Sequence, residues 1–394
     1  MLEGIRVLDL GGIGPGPYAS MLLADLGAEV IRVTRTSEPQ PVNPVLDRGK
    51  KSVCLDLKSP HASPALARLA HYVDAVIEGF RPGVAERLGA GPADLMAANP
   101  ALVYGRVTGW GQTGPQSQQP GHDLNYIAAS GLLSRLGRSG EAPQFPVNLL
   151  GDFGGGGMQL ALGIVSGLLR AQRTGHGTVV DAAMMDGANH LWSMMFGFEA
   201  LGMWNDRRGE NLLDSGAPFY DVYPTADGGH LGVGCIEPQF FAEFVTTLGI
   251  ADKLPAPLAD LSYRKPEYWP ALRELFSAAI AARTTAELAE LFDGSDACAT
   301  VVLSMDEAEA HPHNAQRAFL YRDDAGVRQP APIPRFADLG ETTWSGGRSA
   351  ADASATEPYR RPAPAAQPGE HTDEVLTAAG FSAEEIARLT SATS

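Results

Sequence analysis

The stretch IRVLDLGGIGPGPYASMLLADLGAEVIRVTR, Ile5–Arg35, decides the fold. Its short apolar run stops at glycines, PYASMLLADLG has the apolar spacing of a helix, and AEVIRVTR is a second apolar run. The same rhythm returns downstream in SPHASPALARLAHY, VDAVIEGF and ALVYGRVTGWG. Strands alternating with helices predict βαβ units, and therefore a mostly parallel sheet with helices on both faces.

The turn inside this stretch is ambiguous. Gly14, Gly16 and Ala19 satisfy G-x-G-x-x-A, the pattern of a dinucleotide site. Pro15 and Pro17, however, remove backbone N–H groups from the loop that would cradle a pyrophosphate. The following strand ends at Arg35, where an NAD site places an acid for the ribose. Cations gather in the neighbouring segments DRGKKSVCLDLKSP and EGFRPGVAERLG: Arg48, Lys50, Lys51, Lys58, Arg81 and Arg87. Singly, each reads as a solvated surface charge. Together with Arg35 they predict, at one edge of the sheet, a site for an anionic, nucleotide-like ligand other than NAD.

Bulk properties bound the rest. At 394 residues the chain exceeds one ordinary core, since domains run to roughly 100–200 residues. A composition 44% hydrophobic and 19% charged is that of a soluble globular protein. The net charge of −16 argues against a nucleic-acid partner. Cys54, Cys235 and Cys298 lie far apart without a CxxC pair, which suits neither a disulfide framework nor a zinc site and fits a cytoplasmic location. No secretory leader is read in MLEGIRVLDLGG, and the apolar GANHLWSMMFGF is too short for the roughly 20 residues of a membrane span, so no membrane insertion is expected.

Residues 1–200 read as a large α/β domain. The strand-rich FYDVYPTADGGHLGVGCIEP and the helical patterns after it make 214–312 a smaller α+β domain. Residues 313–394 form a linker and C-terminal arm, with Ser345–Glu370 extended and rich in Pro, Ala and Ser, and a helix capped by Ser382 with Glu385.

Two acidic positions stand out. In GHDLNYIAASGLL, His122 and Asp123 precede a helical pattern; helix capping by Asp123 or Asn125 is the plain reading, and it leaves His122 unexplained. In LLGDFGGGGMQLALGIVSGLL, Asp152 precedes four glycines and a long apolar helix. That reads either as a capped flexible loop, or as a carboxyl at a helix N-terminus whose N–H groups stabilise an oxyanion while glycines admit a substrate. His311 and His313 lack a third neighbouring ligand, so no metal is expected. Cys235 reads as a buried structural thiol. Met184, Met185, Trp192, Met194 and Met195 read as core, or as a yielding apolar surface.

These motifs, with GWGQTGP, GHGTVVDAAMMDG, NLLDSGAPFYD, IEPQF and GEHTDEVL, occur in an order and extent that resemble the class III CoA-transferase superfamily and, within it, the α-methylacyl-CoA racemases. Ser215 departs from the pattern, replacing a glycine, and 345–368 matches weakly. The resemblance implies a Rossmann-like large domain, a small α+β domain, a C-terminal arm returning to the large domain, and an interlocked homodimer. It implies an acyl-CoA thioester as substrate, with CoA part of the substrate and no separate cofactor. The CoA moiety would meet Arg35, Lys58, Arg81 and Arg87, beside Ile13, Asp56, Leu57, Gly79 and Phe80. Gly121, Asp123, Tyr126 and Met184 would flank the reacting end, with Leu213, Tyr220 and Ile236 of the partner subunit forming an acyl pocket.

The transferases of this superfamily use the aspartate matching Asp152 as a nucleophile, whereas the racemases add a histidine at the position of His122. Racemising C2 of a 2-methylacyl-CoA requires two acid/base groups on opposite faces of one carbon. The resemblance implies that His122 abstracts from the S epimer and Asp152 from the R epimer, with Glu237 hydrogen-bonded to His122 and fixing its tautomer. The alternative is a CoA-transferase with Asp152 as nucleophile.

Overall fold

The computed structural model describes residues 1–38, 41–255, 261–336 and 359–391. The chain divides into two compact units, Met1–Ser130 with Pro146–Leu191 and His311–Ser394, and Gly131–Phe145 with Trp192–Ala310. The sequence reading assigned 131–145 and 192–200 to the large domain; they pack instead with the second unit. One cause is a charge contact with no local signal: Arg138 reaches Asp221 at 2.7 Å, 83 residues away.

The first unit is built on six parallel strands, β1 (Arg6–Asp9), β2 (Glu29–Thr34), β3 (Lys50–Cys54), β4 (Ala75–Glu78), β5 (Val103–Thr108) and β6 (Thr178–Ala183), in the order β3-β2-β1-β4-β5-β6. Its helices are α1 (Pro15–Asp25), α2 (Ala62–Tyr72), α3 (Val84–Arg87), α4 (Pro92–Ala98), α5 (Asp123–Ala129), α6 (Gln159–Thr174) and α7 (Met184–Leu191). Successive strand residues feed opposite cores. Leu8, Ile31 and Val76 join one with Leu66 and Leu69 of α2, while Val7, Val30 and Ile77 join another with Leu160 and Ile164 of α6. Because both faces are covered, the strands read as apolar runs rather than alternating ones.

The C-terminal segment protects an edge. His371 N–H donates to Ser52 O at 2.9 Å and Cys54 N–H donates to Thr372 Oγ1 at 2.9 Å, so the chain runs beside β3. Two helices, Thr372–Ala378 and Ala383–Ser391, then place Val375, Leu376, Ile386 and Leu389 in the first core. This is the arm returning to the large domain, and it covers backbone groups that would otherwise template aggregation. Ser382 and Glu385 form the expected capping box, with Ser382 N–H donating to Glu385 Oε2 at 2.7 Å. Of the extended stretch expected over Ser345–Glu370, the part up to 358 lies outside the described residues.

The second unit is α+β. Its antiparallel strands β7 (Asp221–Pro224), β8 (His230–Val233) and β9 (Ala299–Val301) pair in that order. Helices α8 (Ser193–Ala200), α9 (Pro238–Thr247), α10 (Trp269–Ala281) and α11 (Thr285–Phe292) accompany them, and Phe219, Phe241, Tyr263 and Phe276 form an aromatic core. Helix α8 buries none of its residues, so Met194 and Met195 are not core positions; Met194 is 53% exposed. Cys235 is fully buried, and burial raises its thiol above the ordinary range.

Candidate active site

Strand order reverses between β1 and β4, so the turns leaving their carboxyl ends diverge and open a crevice. A cavity of about 600 Å³ lies there, bordered by Gly12, Ile13 and Pro15 after β1 and by Gly79, Phe80 and Arg81 after β4. His122, Tyr126, Asp152 and Met184 line the same cavity.

The turn after β1 is fixed from beneath. Asp9, fully buried, accepts Gly11 N–H at 2.9 Å through Oδ1 and Ser20 Oγ at 2.6 Å through Oδ2. Pro17 O accepts the buried Lys50 Nζ at 3.0 Å. The turn after β4 is held by ion pairing: Arg106 Nε lies 2.7 Å from Glu78 Oε1 and its Nη1 lies 2.8 Å from Glu86, while Glu78 Oε2 accepts Phe80 N–H at 2.6 Å.

His122 is exposed at the N-cap of α5, with its backbone N–H donated to Asn125 Oδ1 at 3.0 Å. The Tyr126 ring packs against the preceding turn, its hydroxyl donating to Gly121 O. A Cβ added to Gly121 would fall 2.6 Å from that ring and one added to Gly109 only 2.0 Å, so both positions require glycine to keep the turn closed over the phenol. Trp110 meets Tyr126 edge-on with centroids 4.9 Å apart.

Asp152 lies in the first turn of the π-helical segment Leu149–Met158, a winding frequent at functional sites. Asn148 Nδ2 donates to its Oδ2 at 3.1 Å. Burial pushes the Asp152 carboxyl above its ordinary pKa; the Asn148 hydrogen bond opposes this, the negative Asp123 adds to it, and His122 opposes it. The backbone N–H of Asp152 is donated to Asp123 Oδ1 at 2.7 Å. The glycines after it are required by packing. A Cβ on Gly155 would lie 2.6 Å from Ala188 N of α7, and one on Gly157 would lie 2.7 Å from Tyr18 of α1. An imidazole and a carboxyl whose ionisation burial disfavours thus border one cavity.

The model of CoA-transferase family III matches residues 2–372. The chain belongs to this family. It is 43% identical over 390 residues to the alpha-methylacyl-CoA racemase of Mus musculus and 42% identical over 391 residues to that of Homo sapiens, in each case covering 99% of this chain and 96% of the relative. The crystal structure of a CAIB/BAIF family protein from Brucella suis superposes with a TM-score of 0.74 at 25% identity, over 96% of this chain and 99% of that one.

On this family III fold the cavity unites Ile13, Gly79, Phe80, Arg81, Gly121, His122, Tyr126, Asp152 and Met184. Arg35 and Lys58 are exposed just beyond the carboxyl ends of β2 and β3, and Arg87 is exposed in α3. Asp56 and Leu57 follow β3, where Asp56 Oδ1 accepts Lys58 N–H at 3.0 Å. Asp123 is buried at 4% exposure and does not line the cavity. Leu213, Tyr220, Ile236 and Glu237 belong to the second unit, with Glu237 exposed at the N-cap of α9.

Three of the cations read as a ligand cluster are structural instead. Lys50 and Lys51 open β3 and neither borders the cavity; Lys50 is buried, with its Nζ 3.0 Å from Pro17 O and 3.6 Å from Asp9 Oδ2, beneath the turn after β1. Lys51 pairs with Glu29 at 2.9 Å and Glu374 at 2.7 Å, and Arg48 is buried against Asp25 at 2.6 Å. Sequence reasoning missed Asn148 and Trp110. Asn148 had a signal, since it stands four residues before Asp152 and side chains at that spacing meet on a helix.

Among the described residues no helix is long and apolar enough to cross a membrane. Nor do three or more His, Cys, Asp or Glu side chains among them gather as a metal would require.

Proposed function

We propose that this chain is an isomerase that interconverts the 2R and 2S epimers of 2-methylacyl-CoA thioesters. The observation that carries the reading is the pairing of His122 and Asp152 on one cavity, with the carboxyl raised above its ordinary pKa by burial. In the form with neutral His122 and protonated Asp152, His122 takes the C2 proton of the S epimer. The electron pair moves into the thioester to give an enolate, and Asp152 returns a proton to the opposite face. The enzyme is left as imidazolium and carboxylate, the form that takes the R epimer, so the two groups titrate as a coupled pair.

The CoA moiety would lie along the turns after β1 and β4, with its phosphates toward Arg81, Arg87, Arg35 and Lys58; it is part of the substrate, and no separate cofactor is invoked. The working unit would be a homodimer in a reducing compartment such as the cytoplasm. In it, Glu237 of the partner subunit would orient His122, and the partner's Leu213, the partner's Tyr220 and the partner's Ile236 would border the acyl chain.

The test is incubation of one epimer in D2O, with and without a free carboxylic acid. Deuterium at C2 and loss of optical purity without the acid support the racemase. Thioester exchange that occurs only with the acid would assign Asp152 the nucleophilic role of a transferase.

A further inference from the structure

Asp123 adjoins His122 in sequence but points into the protein, and its burial needs a cause. A short polar side chain would cap the helix equally well, and a buried carboxylate is costly unless its oxygens are satisfied. Here one oxygen is satisfied and one is not. Oδ1 accepts Asp152 N–H at 2.7 Å, and Oδ2 is shut off from water with no hydrogen-bond partner.

The contact is prepared from the other side as well. In a π-helical first turn the backbone N–H groups lack partners of their own, and Phe153 N–H already reaches back to Asn148 O at 3.4 Å. Residue 151 must be glycine for the carboxylate to enter, because a Cβ there would lie 2.6 Å from Asp123 Oδ1. Asp152 is therefore gripped twice, at its side chain by Asn148 and at its backbone by Asp123.

Building on the assignment of Asp152 as an acid/base group, we propose that Asp123 is its positioning residue. One oxygen pins the Asp152 backbone so that the carboxyl faces the cavity, and the other keeps a negative charge behind it. A like charge disfavours ionisation of its neighbour, which helps Asp152 hold the proton it must deliver. The groups acting electrostatically on Asp152 are Asp123 and His122, and its own charge reaches the Tyr126 phenol.

The test compares Asp123→Ala with Asp123→Asn in the full-length enzyme. Asp123→Ala removes the anchor and should lower kcat by about 10²-fold, the scale of a 1 Å misplacement, with KM little changed. Asp123→Asn keeps an acceptor oxygen but loses the charge. It should recover most of kcat while moving the acid limb of kcat/KM, where the doubly protonated pair sheds its first proton, to lower pH. Wild-type kcat in Asp123→Ala, Asp123→Asn as slow as Asp123→Ala, or an unmoved limb in Asp123→Asn each overturns the proposal. If Asp123→Ala does not fold, the limb in Asp123→Asn decides. Asp152→Asn separates this proposal from the reading beneath it. Racemisation surviving in Asp152→Asn sinks the acid/base assignment itself, whereas an inactive Asp152→Asn beside normal Asp123 variants sinks only the positioning role.

Discussion

Gly14 and Asp152 approach so closely that a methyl group on Gly14 would stand 3.3 Å from Asp152 Oδ2. The glycine-rich turn after β1 thus forms one wall of the seat for the carboxyl, 138 positions away in sequence by the difference of the two residue numbers. Gly14 also adopts φ 70°, ψ −110°, a conformation that side chains resist. Gly14→Ala should cost about 1–3 kcal/mol in stability from backbone strain. It should also lower kcat beyond any change in KM, because the carboxyl is displaced. Paired denaturation curves and steady-state kinetics check both; a variant with wild-type kcat would show that this wall does not set the carboxyl.

Asp152→Asn should cut racemisation by about 10²-fold or more, the usual worth of a positioned acid/base group, while CoA-ester binding persists. It should also stabilise the fold at neutral pH. The carboxyl is raised in the folded protein, so the ionised form is the one that folding disfavours. That penalty is absent below the unfolded carboxyl's pKa of about 3.9 and grows as pH rises through the raised folded value. The melting temperature of Asp152→Asn should therefore exceed the wild type at pH 7 and converge with it in acid. A variant less stable than wild type at pH 7 contradicts the argument.

The parallel sheet was legible from Ile5–Arg35 because burial on both faces leaves uninterrupted apolar runs. What escaped were details that hang on distant partners. Lys50 and Lys51 read as ligand cations, yet Lys50 is buried against Pro17 O and Asp9 beneath the turn after β1, and Lys51 is taken up by Glu29 and Glu374. His122 and Asp152 were legible as residue types out of place. The π-helical turn was not, because the glycines that permit it look the same in sequence as a flexible loop.

Arg106 and Glu78 are adjacent across β5 and β4, with side chains 8% and 0% exposed. Arg106→Met should leave Glu78 as an uncompensated buried charge and cost about 3–5 kcal/mol. Since Glu78 also holds Phe80 N–H, the turn bearing Phe80 and Arg81 should loosen. KM for the acyl-CoA should then rise more than kcat falls, as expected when a remote binding contact is lost. Urea denaturation and kinetics on the same preparation check this, and unchanged stability would refute it.

Ser215 holds φ 74°, in the left-handed region, while its carbonyl accepts Arg273 Nη2 at 2.7 Å. Ser215→Gly should relieve about 1–2 kcal/mol of strain, and the extra freedom of glycine in the unfolded chain should return about 0.4–1 kcal/mol. The backbone contact to Arg273 survives the change, so a net gain of about 1 kcal/mol or less is expected. Chemical denaturation of the two proteins measures it; a loss of stability would mean that the hydroxyl makes a contact worth more than the strain.

The proposed site draws Glu237 from a partner subunit, and complementation tests that origin. Glu237 and the His122–Asp152 pair belong to different compact units of the chain, so proximity in sequence says nothing about which copy supplies the carboxylate. His122→Ala and Glu237→Ala homodimers should each be impaired. In a purified mixed dimer carrying one chain of each, a site built across subunits would combine intact His122 from one chain with intact Glu237 from the other, and its twin would carry both lesions. Half of the wild-type number of sites should then work. If Glu237 served its own chain, every site of the mixed dimer would carry one lesion and no activity would return. A mixed dimer no more active than its parents therefore rejects the shared site, and near-wild-type turnover in the Glu237→Ala homodimer removes Glu237 from the reaction altogether.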